Sequence, residues 1–362
     1  MSVARILHVV GARPNFMKAA PVHRALAERG HTQLIVHTGQ HYDEAMSRIF
    51  FEQLGLPKPD VDLEVGSGTH AFQTAQVMLR LEPVVTKEVP DWVLVYGDVN
   101  STAAAALVCV KLGIRTAHVE AGLRSRDRAM PEEHNRIVTD HLADLLFTPS
   151  ADADENLGRE GIPAGRIRLV GNVMIDTLVR LLPRADKLSP LGFAPGCAPF
   201  VLVTLHRPSN VDAADGLAAL IDCLDDLARD VPVVFPVHPR TRARLDGSRG
   251  RRLRLVDPLG YLEFLALQSR AAVVVTDSGG IQEETTFLGV PCLTMRKNTE
   301  RPVTVSLGTN ELIGDDVALL RERIGVALRG GWKKGRVPPL WDGKAAERIA
   351  RVLGEDAPRG GR

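Results

Sequence analysis

Short apolar runs of three to five residues alternate with longer stretches of helical periodicity along the whole chain. The runs fall at 6–10, 33–37, 92–96, 116–119, 145–148, 167–169, 200–204, 233–237, 253–256, 273–276 and 292–295. Continuous runs rich in valine, isoleucine and leucine predict strands covered on both faces, as in parallel sheets. Between them, segments such as 15–29, 70–89, 101–112, 132–143, 214–229, 261–270 and 281–288 read as helices. Strand–helix alternation of this kind is what crossover connections in parallel sheets require. Eleven strands exceed one comfortable doubly wound sheet. The stretch "LLPRADKLSPLGFAPGCAPF" (181–200) holds four prolines and little periodicity, as a linker does. The expectation is an α/β protein of two Rossmann-like domains. One spans 1–175 and takes back the C-terminal helix 343–356; the other spans 176–342. The tail "EDAPRGGR" reads as disordered.

Composition narrows the function classes. The 362 residues carry 45 basic and 44 acidic side chains, so nothing in the charge balance favours nucleic acid or an anionic membrane. Aromatic residues at 4% are too few for base-stacking platforms. Cys109, Cys197, Cys223 and Cys292 are far apart in sequence, which excludes a CxxC motif; Cys109 and Cys292 sit in apolar runs and read as buried thiols. The apolar start of "MSVARILHVVG" is too short for a signal segment, and no run approaches a membrane span of roughly 18 residues. The cytoplasm is the expected location.

The chemistry-bearing residues follow the strands, at the edge where open α/β sheets bind ligands. "HVVGARPNFMK" sets Arg13 and Lys18 beside a helix start, suited to a diphosphate if they are not merely solvated cations. "VLVYGDVNSTAAAA" ends a strand on Asp98, which could instead satisfy loop N–H groups. In "TAHVEAGLRSRDRAMPEEHNR", ten charged or histidine side chains fall within 19 residues, and Glu120 directly continues an apolar strand, so it should be partly desolvated. His206 in "VLVTLHRPSN" and His238 in "VVFPVHPR" each end a strand. Either could be structural, and no HxxxH or HExxH spacing supports a metal. "VVVTDSGGIQEE" runs a strand into Ser278-Gly279-Gly280, whose bare N–H groups at a helix start suit phosphate, with Glu283 and Glu284 one turn on and able to grip a ribose. A serine-capped helix with first-turn acids fits that stretch equally well. "TERPVTVSLGTNE" adds Glu300, Arg301 and Thr309.

"GSGTHA" (66–71) matches a dinucleotide pattern, but "VDLEV" before it is not a buried strand, and no P-loop occurs. Carboxylates on one domain and a phosphate site on the other, facing across a cleft, describe nucleotide-sugar chemistry without a metal or cofactor.

Taken in order, "GARPNFMKAAP", "TGQHYD", "GDVNST", "HVEAGLRS", "MPEEHNR", "HRPSN", "HPR", "DSGGIQEE" and "TERPVT" resemble the non-hydrolysing UDP-N-acetylglucosamine 2-epimerase family over residues 5–314. The resemblance implies a glycosyltransferase-B-like pair of domains, a homodimer, and interconversion of UDP-GlcNAc and UDP-ManNAc. UDP would be eliminated across C1–C2 to a 2-acetamidoglucal and added back. It makes Asp98, Glu120, Glu132 and His206 the essential groups, without dividing their roles. It also gives Arg13 and Lys18 the diphosphate, Ser278, Gly279 and Gly280 a phosphate, Glu284 the ribose, and Phe264 the uracil. His238 and Arg301 would complete the UDP site.

One departure stands out. Members activated by UDP-GlcNAc carry a basic residue after "QH" and an Arg-Gln pair downstream. Here the residues are Gln40-His41-Tyr42-Asp43 and "GSGTHAF", which offer no guanidinium fork for a second diphosphate, so weak or absent activation is expected. A hydrolysing epimerase, a retaining glycosyltransferase and a silent UDP-sugar binder are the competing readings. The intact acid set disfavours the last.

Overall fold

In the computed structural model, which describes residues 3–39, 53–211, 214–237, 239–242 and 250–356, the apolar runs form two separate parallel sheets. The chain divides into two units, Met1–Thr177 with Pro339–Arg362, and Leu178–Pro338. The first unit runs β1 (Arg5–Val10), α1 (Arg13–Ala27), β2 (Thr32–His37), β3 (Val61–Asp62), α2 (His70–Glu88), β4 (Trp92–Tyr96), α3 (Asn100–Leu112), β5 (Thr116–Val119), α4 (Pro131–Leu142), β6 (Leu145–Thr148), α5 (Ala151–Arg159) and β7 (Ile167–Leu169). The helix α6 (Val173–Ala185) carries the chain into the second unit. There follow β8 (Val201–Thr204), α7 (Pro208–Val211), α8 (Ala214–Leu227), β9 (Val233–Pro236), α9 (Pro239–Arg242), β10 (Arg254–Val256), α10 (Tyr261–Gln268), β11 (Val273–Thr276), α11 (Gly279–Leu288), β12 (Cys292–Thr294), α12 (Pro302–Ser306), β13 (Asn310–Leu312) and α13 (Val317–Leu328). The last helix, α14 (Ala345–Glu355), packs on α1 in the first unit.

Strand order is β3-β2-β1-β4-β5-β6-β7 in the first sheet and β10-β9-β8-β11-β12-β13 in the second. All pairings are parallel, so the strands of each sheet are joined by crossovers and both faces of each sheet need cover. The second unit shows how the sequence meets this. Val201, Val203, Val273 and Val275 enter one core with Leu217, Leu224 and Ile324, while Leu202 and Val274 enter the opposite core with Phe200 and Leu267. Burying each such side chain stabilises the fold by about 1.5–3 kcal/mol. The direction of winding reverses between β1 and β4 in one sheet and between β8 and β11 in the other. At such switch points the strand-end loops part and leave a crevice.

Two strands escaped the sequence pattern. Val61–Asp62 and Asn310–Leu312 are too short and too polar to read alone, and pair as edges on β2 and β12. The supposed linker also begins later than its prolines suggest, because α6 continues through Pro183 to Ala185. The guanidinium of Arg270 meets the chain beyond that helix, donating to the carbonyls of Asp186 (2.9 Å), Leu188 (2.7 Å) and Phe193 (2.8 Å). Among the described residues no helix is long and apolar enough to cross a membrane. Cys109 and Cys292 are buried free thiols.

Candidate active site

The first unit gathers its polar residues at the β1–β4–β5 edge. After β1, Asn15 reaches back and accepts from the Gly11 and Ala12 N–H groups, both at 3.0 Å, while its amide donates to the Tyr96 carbonyl at 2.8 Å. That ties the start of α1 to the end of β4. One turn further along α1, Lys18 forms a 2.7 Å ion pair with Glu120, the two side chains 6% and 2% exposed. Glu120 leaves β5 with φ 73°, a left-handed conformation uncommon outside glycine and costing of order 1–3 kcal/mol. Gly97, at the end of β4, makes room for this pair: a Cβ there would lie 2.7 Å from Lys18 Nζ. The next residue, Asp98, is paired with the buried guanidinium of Arg136 from α4.

A second layer fixes both turns. His118 lies 2.7 Å from the Gly97 carbonyl through Nε2 and 2.6 Å from Asp140 through Nδ1. Asp140 also accepts from Gly122 N–H at 3.1 Å and pairs with Arg124 at 2.7 Å. Burial alone would push the Asp140 carboxyl up, but His118 and Arg124 outweigh it and hold the group below the ordinary range.

The two glutamates that open α4 differ. Glu133 is buried and accepts from Ser125 N–H, Ser125 Oγ and Arg126 N–H at 2.8–2.9 Å, so it braces the preceding loop. Glu132 is half-buried and makes no hydrogen bond or ion pair to a described residue. The side chain of Arg13 and the whole of Gln40-His41-Tyr42-Asp43 lie outside the described residues. A cavity of about 530 Å³ between α2 and α4 is lined by residues including His70, Met78, Asn100 and His134, and by none of the sequence-predicted site residues.

The second unit places its polar residues at the β8–β11–β12 edge. His206 follows β8 and its ring faces the buried Asp277, the residue after β11. Burial would raise the Asp277 carboxyl, yet His206, Asn210 and the Arg207 N–H together hold it below the usual range. Ser278 occupies the cap position of α11 and Gly279 its first turn. A Cβ on Gly279 would meet Arg301 Nη1 at 2.4 Å, so glycine is what admits that guanidinium to the helix N-terminus. Arg301 pairs with Glu283 at 2.8 Å and Glu300 at 3.3 Å; Glu300 in turn meets Arg296 at 2.8 Å and Arg207 at 3.7 Å. Arg301, Arg296 and Arg207 here face Glu283, Glu300 and Asp277 beside a helix N-terminus, whose dipole favours an anion.

Glu284 lies one turn further in, buried, accepting from Tyr261 OH at 2.8 Å. Burial pushes its carboxyl up to about 7 despite that bond. Gln268 is a second hydrogen-bonding neighbour of the carboxylate. Phe264 sits on the same helix as Tyr261, half-buried. His238 lies outside the described residues.

The sequence reading missed Asn15, His118, Asp140 and Asp277 as site-builders. For His118 and Asp277 the available signal was their position at or beside strand ends, whereas Asn15 and Asp140 lie within helices; the partners are as far as 81 residues away and cannot be read from spacing.

Comparisons with known proteins bear on the family and the fold. A family model described as UDP-N-acetylglucosamine 2-epimerase matches residues 24–354. The chain is 42% identical over 360 residues to the UDP-N-acetylglucosamine 2-epimerase of Methanocaldococcus jannaschii, covering 95% of this chain and 97% of that protein. It is 44% identical to the UDP-2,3-diacetamido-2,3-dideoxy-D-glucuronate 2-epimerase of Pseudomonas aeruginosa, covering 96% and 99%. The crystal structure of the M. jannaschii enzyme in complex with UDP-GlcNAc and UDP matches with a TM-score of 0.87 at 41% identity, over 97% of this chain and 99% of that one. The glycotransferase of kitacinnamycin matches at 0.62 and 15% identity over 99% and 100%, a likeness of fold alone.

Proposed function

Because the chain belongs to the UDP-N-acetylglucosamine 2-epimerase family, we propose that it interconverts UDP-GlcNAc and UDP-ManNAc without net hydrolysis. UDP leaves across C1–C2 to give a 2-acetamidoglucal and returns with the opposite configuration at C2. The observation that carries this reading is Glu120, a buried strand-end carboxylate held in a left-handed turn against Lys18, next to the turn that bears Asp98. Backbone strain of that kind collects where a side chain must be aimed at a substrate.

In this proposal Asp98, Glu120, Glu132 and His206 handle the proton and the developing charge. Arg13 and Lys18 meet the diphosphate. Ser278, Gly279, Gly280, His238 and Arg301 hold the phosphate end of UDP, Glu284 the ribose and Phe264 the uracil. The Arg301 guanidinium at the start of α11 and the buried Glu284 carboxylate support the second half of that assignment. The enzyme works as a cytoplasmic homodimer and responds weakly or not at all to UDP-GlcNAc as an activator.

The Pseudomonas relative favours a second reading, in which the sugar is a diacetamido uronate. Incubation with each UDP-sugar, followed by anion-exchange separation of the products, tests both. UDP-ManNAc formed from UDP-GlcNAc, with no accumulating UDP, is expected. Free UDP with ManNAc would replace the first reading with a hydrolysing epimerase, and turnover of the uronate alone would replace the substrate.

A further inference from the structure

The two ring nitrogens of His206 are treated differently by the fold. Nδ1 lies 3.0 Å from Asp277 Oδ1, with the histidine side chain 57% exposed and the aspartate side chain 0%. Nε2 makes no hydrogen bond to a described residue. The carboxylate cannot turn to suit the ring, because its other oxygen is taken. Asp277 Oδ2 accepts from His206 N–H at 3.0 Å, from Arg207 N–H at 2.9 Å and from the Asn210 amide at 3.0 Å. An ionised carboxylate only accepts, so a neutral imidazole facing it carries its proton on Nδ1 and its lone pair on Nε2. Hydrolases with a serine–histidine–aspartate arrangement use a buried aspartate in this way.

We propose that Asp277 is a positioning residue that fixes His206 in the Nδ1–H tautomer and makes Nε2 the proton-transferring atom. The tautomer follows from the geometry; the step it serves rests on the epimerase reading. In that step the C2–H electron pair becomes the C1–C2 π bond, the C1–O bond breaks with its pair leaving on UDP, and the proton passes to Nε2. In the return step UDP re-forms the C1–O bond while the π electrons take up a proton on the opposite face of C2. Asp277 stays ionised throughout.

Asp277→Asn separates this role from that of a loop staple. With its amide oxygen in the place of Oδ2, asparagine keeps all three donors satisfied and presents an NH2 to the ring, reversing the contact with Nδ1 and giving up only the longer 3.3 Å arm of the His206 N–H to Oδ1. The measurement is two-bond 15N–1H correlation of the His206 ring at alkaline pH, assigned by loss of the signal in His206→Gln. The wild-type protein should show a protonated Nδ1 and a lone pair on Nε2, and Asp277→Asn the reverse. Its kcat should fall by about 100-fold or more while the Kd for UDP stays within about twofold. A wild-type ring protonated on Nε2 overturns the proposal, and this result stands even if the variant does not fold. So does a variant whose tautomer is unchanged, or whose tautomer reverses at full kcat. Absence of epimerisation in the wild-type protein would sink the proposed function instead, with the tautomer still readable.

Discussion

Asp140→Asn should destabilise the first unit more than any surface charge change, because Asp140 is the hub between two strand-end turns. Its side chain is wholly buried and meets His118 at 2.6 Å, Arg124 at 2.7 Å and the Gly122 N–H at 3.1 Å. Asparagine keeps the shape and removes the charge. Breaking a buried charge pair from one side costs about 3–5 kcal/mol, since the opposite charge stays behind. With a urea slope of about 2 kcal/mol per M, the midpoint should fall by roughly 2 M. The exposed pair Arg159–Glu155, with side chains 67% and 65% exposed, is the control: Glu155→Gln should cost less than about 0.5 kcal/mol. Trp92 and Trp341 are both buried in the first unit and Trp332 lies in the second, so tryptophan fluorescence in a Trp332→Phe background follows the right transition. The pH dependence has a fixed sign. Asp140 is held below its unfolded range, so its contribution is present above about pH 4 and is lost as pH falls through the folded value. The gap between wild type and variant should therefore close on acidification. A loss below about 1 kcal/mol at neutral pH would refute the reasoning, because a hub that costs no more than a surface pair is not holding the turns.

Three further outcomes follow from single contacts. Gly97→Ala places a Cβ 2.7 Å from Lys18 Nζ at φ 63°; it should cost about 1 kcal/mol in melts and at least about tenfold in initial rate, and unchanged rates would show that Lys18 can leave Glu120 freely. Gly279→Ala must push Arg301 away from the start of α11, so calorimetry should show UDP binding about tenfold weaker with little change in melting temperature; an unchanged Kd would remove Arg301 from the phosphate site. Glu284 is raised from 4.5 to about 7, so the folded chain holds its proton more tightly than the unfolded chain. The resulting cost is absent below about pH 4.5 and complete above about pH 7; Glu284→Gln should stabilise by about 3 kcal/mol at high pH and by nothing at low pH, and a parallel offset across the range would contradict the assignment.

Much of the fold was legible because parallel strands must be apolar on both faces. Runs such as Trp92–Tyr96 and Val273–Thr276 announce themselves, and each is fully buried. Val61–Asp62 and Asn310–Leu312 were not legible, since two or three residues carry no period and pair only because an edge is offered. Pro183 misled for a physical reason: a proline near a helix end removes one donor without stopping the turn.

The site divides in the same way. Asp98, Glu120 and His206 stand where strands end, and position alone marks them. What holds them does not show in spacing. His206 and Asp277 are 71 residues apart, yet meet because β8 and β11 are neighbours across the switch point. Lys18 and Glu120 are 102 apart for the same kind of reason. The difference between Glu132 and Glu133 is likewise a matter of helix phase: one faces the loop it braces and the other does not.

The central claim is proton removal and return at C2 of a UDP-sugar, and proton NMR of the protein with UDP-GlcNAc in D2O tests it most directly. UDP-ManNAc appearing with deuterium at C2, and deuterium entering the remaining UDP-GlcNAc, is the expected result. UDP-ManNAc that keeps its C2 proton, or UDP-GlcNAc left unchanged, would contradict it.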